Sequence, residues 1–127
     1  MEENMELSEI HSRLANTAMI YCIVMAVWGL WRFFRGQGLS GGYFGALVIA
    51  EILLVIQGIL GLILWFGVST IRPGFVHWIY GVALVLGAPI VYVYTKGRQD
   101  RPEMLLYSVA FIIMIALVLR AMVTAAA

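Results

Sequence analysis

Residues 43–66 read YFGALVIAEILLVIQGILGLILWF, and this segment decides the class of fold. It carries a single charge, Glu51. The segment is long enough to cross a bilayer, because a helix needs about 20 apolar residues to span about 30 Å of hydrocarbon. Open strands cannot satisfy their backbone hydrogen bonds in lipid, and the segment lacks the alternation of a barrel strand. It therefore predicts a transmembrane helix.

Three further apolar segments of similar length occur in the chain, separated by charged, glycine-rich or proline-containing connections. The predicted helices cover about residues 11–34, 43–67, 75–95 and 103–124. We therefore predict an all-α integral membrane protein. Its single domain, residues 1–127, would form one four-helix transmembrane bundle in the lipid bilayer.

The overall composition also indicates a membrane protein and excludes several other classes. Hydrophobic residues make up 63% of the chain and charged residues 12%, and the mean hydropathy is +0.96. A soluble domain is about 45–50% apolar and about 25% charged. The net charge of +1 provides no basic surface for nucleic acid, so we expect no nucleic-acid partner. Cys22, the one cysteine, cannot form an internal disulfide and is interpreted as a small hydrophobic residue.

The distribution of basic residues predicts the orientation in the membrane. Two connections on the same side carry five of them: Arg32, Arg35, Lys96, Arg98 and Arg101. Basic residues mark the cytoplasmic side, so both termini are expected outside, on the periplasmic face of the plasma (inner) membrane. The N-terminal segment begins with acidic residues and lacks a basic n-region, so we do not expect a cleavable signal peptide.

The two histidines, His11 and His77, are the main candidates for a site. Each lies at the outer end of its predicted helix, and the two helices run in the same direction, so the imidazoles are expected at similar depth. Facing positions in a four-helix bundle can hold a metal between them. Zinc requires three or four protein ligands, whereas haem iron is satisfied by two axial imidazoles. Alternatively, both rings are ordinary amphipathic side chains at the membrane interface.

Small residues near each histidine favour a flat ligand. Ala15 and Gly81 each follow a histidine by four residues, so each lies on the histidine's helix face and leaves space there. The first helix continues this face with small or flexible residues: Ala18, Cys22, Met25 and Gly29. Arg13 is expected to pair with haem propionates at the outer surface, together with Arg72 and Arg120.

Three motifs resemble the haem A synthase family. Residues 51–64, EILLVIQGILGLIL, resemble its glutamine-and-glycine helix, and residues 9–15, EIHSRLA, resemble the signature that opens its histidine helices. Residues 77–81, HWIYG, resemble its second histidine helix, and the resemblance covers about residues 6–123. The chain departs from the pattern because Arg13 is not adjacent to the histidine and the paired outer-loop cysteines are absent. The resemblance implies one of the family's two four-helix units, with ligands for one haem.

These observations lead to one main functional hypothesis and two alternatives. The main hypothesis is an integral membrane protein with one haem b per chain, ligated by His11 and His77. It would transfer electrons or form the haem-bearing subunit of a larger membrane redox complex. The first alternative is a haem A synthase-like, haem-modifying enzyme that acts as a homodimer. The second is a haem-free accessory subunit of a respiratory or photosynthetic complex.

Two polar residues within the second predicted helix have both functional and structural interpretations. Glu51 is either a proton- or quinone-linked group or the partner of an interhelical hydrogen bond, for example with Tyr92 or Tyr94. Gln57 is expected to join two helices by a hydrogen bond rather than to bind a ligand.

Overall fold

A computed structural model describes the backbone of residues 2–68 and 74–126 and the side chains of residues 6–66 and 74–123. Within these ranges the chain is helical and contains no strand. The helices are α1 (Glu2–Phe34), α2 (Gly41–Ile63), α3 (Phe75–Thr95) and α4 (Arg101–Ala126), and α2 continues into a π-helical turn, Leu64–Val68. The predicted all-helical class is therefore confirmed for the described part of the chain.

Each helix contains a segment that is long and apolar enough to cross a membrane. These segments are Glu6–Phe34, Gly41–Phe66, Phe75–Thr95 and Arg101–Val123. Four candidate spans make this a multi-pass membrane protein by length and composition. The predicted helix ends agree with the observed ones to within a few residues, with one exception.

That exception is the start of α1, which begins at Glu2 rather than near residue 11. Hydropathy detects only the part of a helix that fits the hydrocarbon, whereas the helix itself continues beyond it. The additional segment is rich in glutamate, and negative charges stabilise the N-terminal end of a helix dipole. Sequence analysis therefore predicted the span but missed the extension.

The four helices form a ring in which α1 packs against α2 and α4, and α3 packs against the same two helices. Consequently α1 and α3 face each other diagonally. The contact between α1 and α4 is the most extensive of the four, and the contact between α2 and α3 is the least extensive. The bundle is therefore packed more closely on its α1–α4 side than on its α2–α3 side.

One end of the bundle, the basic end, consists of residues 32–40 and 96–101. Its two connections contact each other directly, because the Leu39 amide donates a 2.9 Å hydrogen bond to the Gln99 carbonyl oxygen. A Cβ at Gly38 would overlap this same carbonyl, so the close approach requires glycine. The Arg101 guanidinium donates to the Phe33 carbonyl oxygen at 2.8 Å. The predicted basic connections therefore lie together.

The tightly packed core extends from the basic end to the middle of the bundle. The largest fully buried side chains of the described residues lie there, and they are Met25, Tyr43, Met104, Tyr107, Phe111 and Met114, with the smaller Cys22, Thr95 and Ser108. The Tyr43 hydroxyl donates to the Met25 carbonyl oxygen at 3.0 Å and ties α2 to α1. The opposite end, which contains both histidines, is called the histidine end below.

Candidate functional site

A cavity of about 590 Å³ lies at the histidine end. Its walls come from all four helices and the π-helical turn: residues between 11 and 18, 54 and 65, 77 and 86, and 118 and 122. Most of these residues are apolar. Cavities of about 300–1,000 Å³ with apolar walls and a few polar groups are typical of cofactor and small-molecule sites.

Both histidines line this cavity. They belong to the diagonal pair α1 and α3, so they approach the cavity from opposite sides of the bundle. They are near enough that a charge on the His77 ring would affect the His11 ring. Residues 6–66 and 74–123 contain no group of three or more His, Cys, Asp or Glu side chains that could hold a metal ion, and His11 and His77 are the residues of these types that line the cavity.

The His11 ring is positioned by two residues of α2. The Gln57 side-chain amide donates a 2.6 Å hydrogen bond to the His11 carbonyl oxygen, as expected for a residue that joins two helices. A Cβ added at Gly61 would lie 3.4 Å from His11 Cε1, so the imidazole packs directly over the glycine. Glycine at this position lets α2 approach the ring without displacing it.

Two polar atoms beside this contact are buried without hydrogen-bond partners: His11 Nδ1 and Gln57 Oε1. Both residues line the cavity. Leaving a buried polar atom unpaired costs about 1–3 kcal/mol, so unpaired atoms call for an explanation such as a ligand. Both atoms have almost no accessible surface, so they are enclosed where α1 packs against α2 and do not face the open volume of the cavity.

His77 is held by α3 and α4 together. It lies in the first turn of α3, where its amide donates to the Gly74 carbonyl oxygen at 3.1 Å. Its imidazole forms a hydrogen bond with the backbone of Ala121 in α4. Metal-ligating histidines usually use one ring nitrogen for such a backbone contact, which fixes the ring orientation and directs the other nitrogen to the metal.

The predicted small residues Ala15 and Gly81 also line the cavity. A Cβ added at Gly81 would meet no atom within 4 Å, so this glycine leaves open volume. Of the small or flexible residues that continue the His11 face, only Ala18 reaches the cavity. At Gly29 a Cβ would overlap Ser108 Oγ, so this residue serves close packing of α1 against α4. The predicted clearance along the whole face is therefore wrong beyond Ala18.

Arg13 does not line the cavity. It forms a 2.6 Å ion pair with Glu9, and both side chains are largely exposed. The physical reason is the helix period: two residues correspond to a rotation of about 200°, which directs Arg13 away from His11. Arg120 is exposed on α4, and Arg72 lies outside the described residues. The structure therefore brings His11, His77, Ala15 and Gly81 together, and leaves Arg13 apart.

Two tryptophans, one before and one after the connection between α2 and α3, form one wall of the cavity. Trp65 and Trp78 pack edge to face, with ring centroids 5.3 Å apart and an interplanar angle of 88°. Trp65 belongs to the π-helical turn that continues α2. Such π-bulges are often found at functional sites. No signal in the sequence indicated this turn.

Glu51 lies on α2 outside the cavity, and its Oε2 atom is buried without a hydrogen-bond partner. The predicted bond to Tyr92 or Tyr94 is therefore not made to this oxygen. Tyr92 instead places its hydroxyl beside Gly97, where an added Cβ would be 3.3 Å away. Sequence analysis also missed the burial of Glu103, which forms a 2.9 Å ion pair with Arg98.

Comparisons of the chain with protein-family models, curated proteins and solved structures found no match. Function is therefore argued from the cavity and its two imidazoles.

Proposed function

We propose that the protein binds one haem b in the cavity at the histidine end, with His11 and His77 as the axial ligands. The main observation in favour is that two imidazoles from diagonally opposed helices line one apolar cavity of about 590 Å³. On this proposal the protein transfers electrons or serves as the haem-bearing subunit of a larger redox complex in the plasma membrane. Both termini would lie outside and the basic end in the cytoplasm.

The residues present fit a haem in three respects. Two imidazoles complete the coordination of haem iron, and apolar walls suit the macrocycle. Gly81 leaves open volume where any side chain would project.

The protein's own groups would then set the properties of the iron. When bound, bis-histidine haem iron is low-spin and suited to electron transfer rather than to oxygen binding. Gln57 holds the backbone of His11, and the backbone of Ala121 orients the ring of His77. The surrounding apolar side chains limit water access, which is one of the factors that determine reduction potential.

The proposal is tested by adding haemin to the purified protein and recording reduced-minus-oxidised spectra, with pyridine extraction to identify the bound haem. We expect one haem b per chain with sharp b-type bands, and loss of those bands in both His11→Ala and His77→Ala. Arg13→Ala is the matched control, because Arg13 lies on α1 near His11 but outside the cavity. Stoichiometric haem in both histidine variants would refute the ligand assignment. A wild-type protein that binds no haem would favour the accessory-subunit alternative.

A further inference from the structure

The cavity at the histidine end has an open side between α2 and α3. Several residues that line the cavity are at the same time exposed on the bundle surface. They are Val55, Ile59 and Leu62 of α2 and Val82 and Leu86 of α3, with exposed fractions of 39–52%. These five residues, together with Gly58 and Val85 between them, are called the α2–α3 seam.

Specific contacts join the other helix pairs, although Ser12 and Asn16 of α1 also line the cavity and are exposed. Gln57 ties α2 to α1 at the level of His11, and the Tyr21 hydroxyl donates to the Ala46 carbonyl oxygen at 2.7 Å further along the same pair. His77 bonds to the backbone of α4. Buried core residues fill the extensive contact between α1 and α4. Among the described parts of the helices, the contact between α2 and α3 is the least extensive, and within it a Cβ at Gly58 would lie 3.7 Å from Val85 Cγ2.

The dimensions of the seam suit a flat ligand. From Val55 to Leu62 the seam follows seven residues of α2, or about 10 Å at 1.5 Å per residue, and Trp65 in the π-helical turn continues the same wall of the cavity. A haem macrocycle is about as wide as a helix, which is about 10–12 Å across. For the macrocycle to pass edge-on, α2 and α3 must separate at the contact between Gly58 and Val85, while α1 and α4 remain packed as a fixed wall.

From this arrangement we infer that haem enters and leaves the cavity sideways, from the bilayer, through the α2–α3 seam. Trp65 and Trp78, in edge-to-face contact where α2 and α3 approach the histidine end, form the gate. The apolar residues of the seam face the acyl chains, so an apolar macrocycle dissolved in the bilayer reaches the cavity without crossing water. This inference rests on the proposed haem function, and it adds the route to it.

A disulfide across the seam tests the route. Gly58→Cys combined with Val85→Cys, in a Cys22→Ala background, places two sulfurs where the helices already approach within van der Waals distance. The control is Gly87→Cys with Met114→Cys on the closed α3–α4 side, where an added Cβ lies 3.4 Å from Met114 Cγ. Each protein is reconstituted in lipid nanodiscs, and haemin uptake is followed by Soret absorbance and quenching of tryptophan fluorescence.

We expect the oxidised seam variant to lose haemin uptake and to regain it on reduction with dithiothreitol, while the control takes up haemin in both states. Seam protein loaded before oxidation should keep its b-type spectrum and release haem to apomyoglobin more slowly than when reduced. Equal uptake in the oxidised and reduced seam variant would overturn the route and favour access from the aqueous phase at the histidine end. If haemin fails to bind to the wild-type protein in the same nanodiscs, the proposed haem function itself is wrong.

A second variant tests the route without a disulfide, in case the disulfide itself displaces bound haem. Trp78→Ala removes half of the aromatic gate, so both uptake and release should accelerate. Trp31→Ala is the control, because this exposed tryptophan lies near the basic end, far from the cavity. Unchanged rates in Trp78→Ala would contradict the seam as the route.

Discussion

Filling the cavity from Gly81 is the most direct perturbation of the site. A Cβ at this position meets no atom within 4 Å, so Gly81→Phe can direct its ring into the cavity without a backbone clash. Replacing a glycine inside a helix also favours the helix, by about 1 kcal/mol for alanine. We therefore expect the variant to fold at least as well as the wild type.

The effect on haem binding follows from the space that the ring removes. A ligand that must share its site with an added side chain pays an overpacking cost of about 1–3 kcal/mol. This corresponds to a dissociation constant that is about 5- to 150-fold larger. Gly81→Ala, which adds only a methyl group to open volume, should change the constant little.

Gly45→Phe is the matched control for Gly81→Phe. Gly45 also lies within a helix, is exposed, and would place its Cβ in open space, but it is not part of the cavity. Haemin titration by Soret absorbance gives the dissociation constant, and a thermal melt reports folding. If Gly81→Phe melts like the wild type and binds haemin with unchanged affinity, the ligand does not occupy this cavity.

Two further predictions concern the contacts that hold the helices. Gln57→Leu removes the hydrogen bond to the His11 carbonyl, worth about 0.5–1.5 kcal/mol, and should weaken haemin binding by about 2- to 13-fold in the same titration. An unchanged constant would mean that Gln57 does not position the histidine. Gly38→Ala inserts a methyl group against the Gln99 carbonyl and should lower the thermal midpoint through a cost of about 1–3 kcal/mol. Gly41→Ala is the control, because its added methyl group meets no atom within 4 Å and should leave the thermal midpoint unchanged. Equal midpoints for the two variants would contradict the close contact between the connections.

The fold could be predicted from sequence because the bilayer imposes a strong constraint on length and polarity. Each of the four apolar segments has the length of a span, and each became a helix. The diagonal placement of α1 and α3 follows from the ring order of the helices. That order brings His11 and His77 into the same cavity. The expectation that the first and third helices run in the same direction was therefore sufficient to predict that the two histidines lie at the same end of the bundle.

The details that sequence analysis missed depend on direction and on distant contacts. The orientation of Arg13 could have been predicted from sequence, because a rotation of about 100° per residue places it on the opposite side of α1 from His11. The π-helical turn at Leu64–Val68 could not have been predicted, since its residues are as apolar as those of the adjoining helix. The requirement for glycine at Gly38 depends on Gln99, which belongs to the other connection. No local pattern reports such a contact.

The energetic cost of the cavity connects the site to its open side. A closed, empty cavity of about 590 Å³ would cost on the order of 14 kcal/mol at about 24 cal/mol per Å³. That is comparable to the entire stability of a typical protein, about 5–15 kcal/mol. An opening to the bilayer removes this difficulty, because acyl chains can fill the cavity through the α2–α3 seam. A ligand that engages the imidazoles consequently displaces lipid by coordination rather than by hydrophobicity, so loss of either histidine should favour lipid over haem without unfolding the bundle.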